Sequence, residues 1–300
     1  MDFYKKLIKS KKIRFAILSC FKFIPDELML KLQYRIKCGK KLNLKSPKRY
    51  TEKLQWYKLH YRNPLMAKCA DKYLVREYIQ NKGLAHILND LYAIYDTPED
   101  IDISMLPDQF ILKLSNGSST NLVVMDKNKI TREAIAKRFK DFYRQANSSA
   151  GREWCYHCEK SVIVAEKFLS DPSQPNGIIN DYKILCFNGE PEYIICVSGR
   201  YTASVNHLTY DKNWNKVFVD FEGSRSGEDV LKPENLEEML NVARKLSADF
   251  PFARIDLYSI EGKITFGEIT FFPWSGYMRF NPDSFDYELG RKFILPKSNT

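Results

Sequence analysis

The chain has 300 residues, 44% hydrophobic and 28% charged, with a formal net charge of +10. That length and apolar content suffice for a sizeable core in one large or two modest domains, and they exclude a disordered or fibrous chain. Seven cysteines, odd in number and scattered, exclude a dense disulfide framework and fit a reducing cytoplasm.

From Met1 to Lys53 thirteen lysines and three arginines face two aspartates and two glutamates, so the basic character is a local arm and the remainder is slightly acidic. The apolar run from Phe15 to Ile24 is too short to cross a bilayer and is broken by Lys22. No small-residue cleavage site follows it, so it is not read as a signal peptide. Two short amphipathic helices are expected, over LIKSKKIRFAILSCFKFI and over DELMLKLQYRIKCGKK, the second capped by Asp26. Three roles compete for the arm: contact with an anionic membrane surface, grip on an acidic glycan, or a solvated cover packed on the domain. Nucleic acid is disfavoured, because Phe15, Phe21, Phe23 and Tyr34 follow helical spacing rather than that of a stacking platform.

SPKRYTEKLQWYKLHYRNPLMAKCADKYLVREYIQNKGL predicts two helical stretches parted at Asn63-Pro64. Ser46-Pro47 opens the first, and Asp71 caps the second, which stops at Gly83. Lys72 and Arg76 share a face there, one turn apart. Basic side chains at a helix start oppose the dipole, so either a nearby anion or plain solvation accounts for them.

Strands are predicted in LYAIYD and over Phe110–Leu114. The latter carries Lys113 and runs into a small polar loop, Ser115, Asn116, Gly117, Ser118, Ser119 and Thr120, before a second apolar run, LVVM. Such a loop can turn N–H groups and hydroxyls toward phosphates beside the lysine, and it can equally be a plain hairpin turn. It lacks GxxxxGK[ST] and leads into a strand, so neither the P-loop nor the dinucleotide fingerprint applies.

Thr131 to Asn147 is predicted as a helix N-capped by Thr131, with an apolar stripe through Ile135, Phe139 and Phe142. Cys155 and Cys158 form one CxxC without a second pair, read as structural rather than zinc-binding or redox. SVIVAEKFL is a β-branched strand closing on Glu166, Lys167, Phe168 and Leu169, an end that can offer a purine backbone hydrogen bonds and apolar walls. DYKILCFNGEPEYIICVSGR is a hairpin around Asn188-Gly189, with Asp181 and Lys183 on one face. A further strand pair is expected from Tyr210 to Phe221, and a helix from Pro233 to Phe250.

The last hairpin, FARIDLYSIEGKITFGEITFFPWSG, spaces acidic residues along two alternating strands. With Gly262 as the left-handed third residue of a three-residue loop, Ser259 pairs with Lys263, Arg254 lies opposite Glu268, and Asp256 is its diagonal neighbour on the same face. A two-residue turn would send Glu268 to the far side. We take the three-residue loop. Two carboxylates and an arginine clustered there fit magnesium with a polyphosphate, and equally a solvent-facing salt bridge.

In sequence order, a lysine before a small-residue loop, a strand closing on EKFL, a DYK strand, and RxD followed by GE in a late hairpin resemble the ATP-grasp fold. SPKRYTEKLQWYKL, CADKYLVREYI, LPDQFILKLSNGSS and FGEITFFPWSG are similar to its TupA-like branch, associated with bacterial surface polysaccharides, and the similarity runs from Lys40 to Gly290. The resemblance implies an α+β, ATP-grasp fold of two subdomains closing on ATP behind a helical basic extension. The implied divisions are an extension over 1–50, a mixed lead-in over 51–104, a small subdomain over 105–176 and a C-terminal subdomain over 177–300.

The resemblance also implies ATP and Mg2+ as cofactors. Lys113 and the loop residues Asn116, Gly117, Ser118, Ser119 and Thr120 would cover the phosphates, with Lys72 as a second phosphate contact. Glu166, Lys167, Phe168 and Leu169 would meet the adenine, Lys183 would approach the phosphates from the other side, and Arg254 would stabilise the phosphoryl group in flight. Asp256, Glu268 and Thr270 would hold magnesium, with Thr270 standing where such enzymes commonly have Asn. Ser118 and Ser119 make the loop poorer in glycine than usual. Arg200 and Arg279 are candidates to anchor a substrate carboxylate. The implied reaction passes the γ-phosphoryl group of ATP to a carboxylate, and an amine then attacks the acyl phosphate to give an amide, ADP and phosphate. A uronic acid and an amino acid are the implied partners, in the cytoplasm or at the inner face of the membrane. The rival readings are a glycosyltransferase of the same pathway and a non-catalytic ATP-grasp-like scaffold that binds glycan or membrane.

Overall fold

The computed structural model describes residues 23–147, 151–174, 177–199, 205–221 and 229–296. The first expected helix up to residue 22 and Arg200 lie outside the described residues. Helix α1 spans Asp26–Cys38 and ends on Gly39, whose φ of +72° needs no Cβ and whose N–H reaches the Arg35 carbonyl. Its start differs from expectation. Met29 N–H already bonds the Pro25 carbonyl, so Pro25 takes the capping position and Asp26 becomes the first helical residue.

Helix α2, Tyr50–His60, begins after Ser46-Pro47 because its cap comes from far along the chain. Asp286 accepts the Thr51 N–H at 3.0 Å and hydroxyl at 2.8 Å, while Glu52 Oε2 accepts the N–H groups of Lys48 and Arg49 at 2.9 and 3.1 Å. The Thr51 N–H, a first-turn donor with no intrahelical acceptor, is thereby satisfied. Two compact units follow from the packing, one of Phe23–Arg62 with the described residues from Ser170 on, the other of Asn63–Leu169. Helix α2 was expected in a lead-in with 63–104. It packs with the C-terminal unit instead, because Tyr50 and Tyr57 set their rings against Phe252 and Phe293 at 5.2 and 5.4 Å.

The Asn63–Leu169 unit opens with α3, Pro64–Ala70, N-capped by Asn63, and α4, Val75–Asn81. The helix expected between Asp71 and Gly83 is α4, and α3 precedes it. Asp71 does cap, accepting the N–H groups of Tyr73 and Leu74 at 2.8 and 3.0 Å, but it caps a turn that leads into α4. Strands β1 Leu91–Tyr95, β2 Phe110–Leu114, β3 Asn121–Val124 and β4 Ile163–Lys167 form an antiparallel sheet in the order β1-β4-β2-β3. Helix α5, Arg132–Ala146, is capped by Thr131 as predicted, and buries Ile135, Phe139 and Phe142 against Phe110, Leu112 and Ile163. Each such side chain contributes roughly 1.5–3 kcal/mol.

In the other unit, β5 Asp181–Phe187 and β6 Glu190–Ser198 form the predicted Asn188-Gly189 hairpin, followed by β7 Asn206–Asp211, β8 Lys216–Val217 and β9 Asp220–Phe221. Helix α6, Leu236–Ser247, packs across β5 and β6 and across the first strand of the closing hairpin, β10 Phe252–Ile260. After β11, Lys263–Thr270, come β12, Phe280–Asn281, and α7, Ser284–Lys292. The main sheet runs β11-β10-β5-β6-β7-β8. Every residue of β5 is buried, so its second face, the one carrying Asp181 and Lys183, is covered as well.

Candidate functional site

The closing hairpin turns in two residues. Glu261 and Gly262 both have positive φ, +49° and +76°, and Ile260 pairs with Lys263. The expected three-residue loop is therefore absent, and with it the pairing of Ser259 with Lys263, since Ser259 faces Ile264. A uniform ladder from that turn would have sent Glu268 away from Asp256. A bulge restores the face. Between Leu257↔Phe266 and Asp256↔Glu268 the register slips by one residue, Gly267, so Asp256 stands directly opposite Glu268 and Arg254 opposite Thr270. A Cβ on Gly267 would come within 3.0 Å of the Asp256 carbonyl oxygen, which is why the extra residue has no side chain.

The bulge builds one charged cluster. Arg254 donates from Nε to Asp256 Oδ1 at 2.6 Å and from Nη2 to Asp256 Oδ2 at 2.7 Å, Glu268 Oε1 at 3.0 Å and Thr270 Oγ1 at 3.0 Å. Lys183, brought opposite Asp256 by the β5–β10 register, donates to Asp256 Oδ2 and lies 2.9 Å from Asp181 Oδ2. Burial pushes the Asp256 carboxyl up, with Arg254 and Lys183 opposing it. Burial disfavours the Arg254 charge, but Asp256 and Glu268 outweigh it and the net shift is upward. Asp256 is 2% exposed, whereas the Glu268 side chain is 42% exposed.

A strained turn stands beside this cluster. Trp274, Ser275 and Gly276 are all left-handed, at φ +48°, +55° and +66°. Such conformations cost about 1–3 kcal/mol at each non-glycine position. They are held from α2, where buried Lys58 donates to the Ser275 carbonyl at 2.8 Å and Gln55 Nε2 to the Gly276 carbonyl at 2.9 Å. The turn sets the Trp274 ring 5.4 Å from the Arg254 guanidinium.

The polar loop lies in the other unit. Ser115, Gly117 and Thr120 are buried and Ser118 and Ser119 form the exposed tip. Asn116 is held from both sides, donating to the Tyr156 carbonyl at 3.0 Å and accepting from the Ser161 hydroxyl at 2.6 Å. Thr120 Oγ1 is buried without a hydrogen-bond partner among the described residues. A Cβ on Gly117 would fall 2.0 Å from that same oxygen. Gly117→Ala is accordingly expected to lower stability by about 1–3 kcal/mol. An unchanged urea midpoint would show that Thr120 can turn aside.

Lys113 Nζ lies 2.7 Å from Glu166 Oε2, and Arg76 Nη1 3.9 Å from Glu166 Oε1. Lys72 Nζ donates to the Gly117 carbonyl at 2.6 Å and the Ser115 carbonyl at 3.3 Å. Lys167 N–H reaches the Asp90 carbonyl at 3.0 Å, and its own carbonyl accepts from Asn89 at 2.9 Å.

Residues 52–294 match the TupA-like ATPgrasp family. The chain belongs to the TupA-like ATP-grasp family. Among solved structures it is similar to D-alanine–D-alanine ligase from Bacillus anthracis complexed with ATP, at 17% identity over 67% of this chain and 54% of that one, with a TM-score of 0.42. The corresponding ligase from Helicobacter pylori is 19% identical over 77% and 59%, TM-score 0.41. An L-amino acid ligase from Bacillus licheniformis is 17% identical over 69% and 42%, TM-score 0.41. The chain thus spans about half the length of these proteins. No curated protein matches it.

In this TupA-like ATP-grasp chain, Lys183, Arg254, Asp256, Glu268 and Thr270 come together in one cluster. Lys72, Lys113, Asn116, Gly117, Ser118, Ser119, Thr120, Glu166, Lys167, Phe168 and Leu169 lie in the Asn63–Leu169 unit. Lys72 and Lys167 have partners within that unit. Lys72 is turned into the loop's own carbonyls, so it shapes the loop from within. Both backbone groups of Lys167 are engaged by Asn89 and Asp90. Arg279 does not join the cluster, because it donates to the Lys37 and Ile36 carbonyls at the end of α1. Residue pattern alone missed Asn89, Gly267 and Lys58, since an amide, a glycine and a lysine acquire these roles only through tertiary partners. Arg76 was visible as a basic neighbour of Lys72, but its nearness to Glu166 was not.

Asp256, Glu268 and Thr270 place oxygen atoms, the donor type a hard divalent cation takes, on facing strands, with Arg254 and Lys183 bonded among the carboxylates; among the described residues no group of three or more His, Cys, Asp or Glu is placed to hold a metal ion.

Proposed function

We propose that this protein is an ATP-dependent carboxylate-amine ligase that joins an amino acid to a uronic-acid or related carboxylate of a bacterial surface polysaccharide or its precursor. One observation carries the reading. In a chain of the TupA-like ATP-grasp family, a glycine bulge sets Asp256 opposite Glu268, with Arg254, Lys183 and Thr270 bonded to them. Magnesium held by Asp256, Glu268 and Thr270 would supply charge neutralisation for the triphosphate. Arg254 and Lys183 would exchange their present carboxylate partners for phosphoryl oxygens, the guanidinium through its bidentate fork and the ammonium as a compact charge. Lys113 would likewise leave Glu166 for phosphate, and the Ser118–Ser119 tip would cover it. The transferred phosphoryl group ends on the substrate carboxylate, and amine attack on the acyl phosphate expels inorganic phosphate and forms the amide. Positioning and charge carry this chemistry, so no nucleophilic side chain is assigned.

A non-catalytic scaffold is the second reading, favoured by one feature: both oxygens of Asp256 are already bonded to Arg254 and Lys183. Thermal shift with ATP, ADP and GTP, with and without magnesium, separates the two. Saturation to about a hundred times Kd adds about 2.7 kcal/mol. A magnesium-dependent rise with ATP, followed by ADP release that requires both an amino acid and a uronic acid, is the expected result. No shift with any nucleotide in the folded protein would overturn the ligase, and ATP binding without ADP release across such a substrate panel would favour the scaffold.

A further inference from the structure

The outer side of α1 carries an apolar ridge that is exposed among the described residues. Leu28, Leu32 and Ile36 are 57%, 52% and 46% exposed, and Phe23, just ahead of the helix, is 80% exposed. Four-residue spacing stacks the three on one side. The other side is fully used. Met29, Leu30, Gln33, Tyr34 and Cys38 are buried, the Tyr34 hydroxyl lies 2.7 Å from Thr51 Oγ1, and the Tyr277 hydroxyl meets Gln33 Oε1 at 2.7 Å. The helix is therefore anchored without help from its ridge.

Charge frames the ridge. On α1 itself exposed Asp26 and Glu27 balance exposed Lys31 and Arg35, with Lys31 pairing with Glu27 at 2.5 Å; the surplus positive charge comes from Lys41, Lys45 and Lys48, which follow the helix and are all exposed. Into Phe23 leads a sequence of 22 residues with six lysines and one arginine against a single aspartate. We propose that this face of α1 docks on the surface of a bilayer that contains anionic phospholipid. Leucine and isoleucine side chains would enter the headgroup boundary while the cations meet lipid phosphates. Among the described residues no helix is long and apolar enough to cross a membrane, and α1 has 13 residues, so it lies on the surface. A second copy fits less well. Two strongly basic arms would be brought together, and three ridge side chains fall far short of the roughly 20–30 residues a side of a stable interface.

The test is co-sedimentation of the full chain with phosphatidylcholine vesicles and with vesicles in which about one-third of the lipid is phosphatidylglycerol. Partition onto the anionic vesicles is expected to exceed that onto neutral ones by about tenfold or more and to weaken at high salt. Leu28→Ser/Leu32→Ser/Ile36→Ser should reduce it about tenfold while the urea midpoint holds, because these side chains face solvent. If the triple variant fails to fold, Leu32→Glu alone carries the same test. Equal binding to both vesicle types, no binding at all, or unchanged binding by the ridge variants would overturn the proposal. So would a dimer that the ridge substitutions dissolve without any vesicle binding, which would make the occupant a second copy.

Discussion

Asp256→Ala is expected to remove about 3–5 kcal/mol of stability, because it leaves Arg254 and Lys183 buried without the carboxylate that both bond. The neighbouring Glu268→Gln should cost less than about 1 kcal/mol, since that side chain is far more exposed and amide oxygen can still accept from Arg254. Both substitutions take a charged oxygen from the candidate metal set, so both should abolish the magnesium-dependent thermal shift with ATP. The hairpin pattern alone would let either residue be neutralised with the fold intact; burial separates them. Glu268→Gln is thus the variant that tests the site without confounding the fold. Urea titration reads the difference in stability. A Glu268→Gln protein that keeps a full magnesium-dependent shift would remove Glu268 from the metal set, and an Asp256→Ala protein of unchanged midpoint would show that water reaches the two cations.

Gly290→Ala should cost about 3 kcal/mol, the upper end of overpacking costs and near the lower end of the Asp256→Ala loss. Gly290 lies in α7, where alanine would ordinarily be favoured over glycine, but its Cβ would fall 2.1 Å from the Lys48 carbonyl oxygen and 2.9 Å from Tyr50 N. The backbone of residues 48–50 cannot yield as a side chain would. The same contact brings α7 close enough for Lys53 to bond the Gly290 and Phe293 carbonyls at 2.8 and 2.7 Å and for Asp286 to cap α2. Pushing the helices apart would loosen all three. A urea midpoint equal to the parent protein's would mean that α7 can retreat without losing them.

How much of this was legible in the residues differs by element. Helix α5 was readable because its start signal, its period and its cap are local. Strand β2 was readable for the same reason, as was the Asn188-Gly189 hairpin, whose turn residues demand positive φ at little steric cost. The closing hairpin was readable as a hairpin but not in register. Glu261-Gly262 and a longer loop ending on Gly262 are both compatible with the sequence, and Gly267 marks a bulge only when the opposing strand is known. The shared face of Asp256 and Glu268 was expected for one reason and arises from another.

The sequence by itself determined the family, the order of the elements and which charged residues lie on the late hairpin, because these rest on local periodicity, turn chemistry and motif order. Tertiary structure alone decided which groups those charges meet. It turned Lys72 into the loop's own carbonyls, engaged the backbone of Lys167 with Asn89 and Asp90, drew Arg279 to the end of α1 and buried Asp256 between two cations. The physical reason is that a buried polar group must find partners, and those partners come from strands and helices far away in the chain, where no local pattern records them.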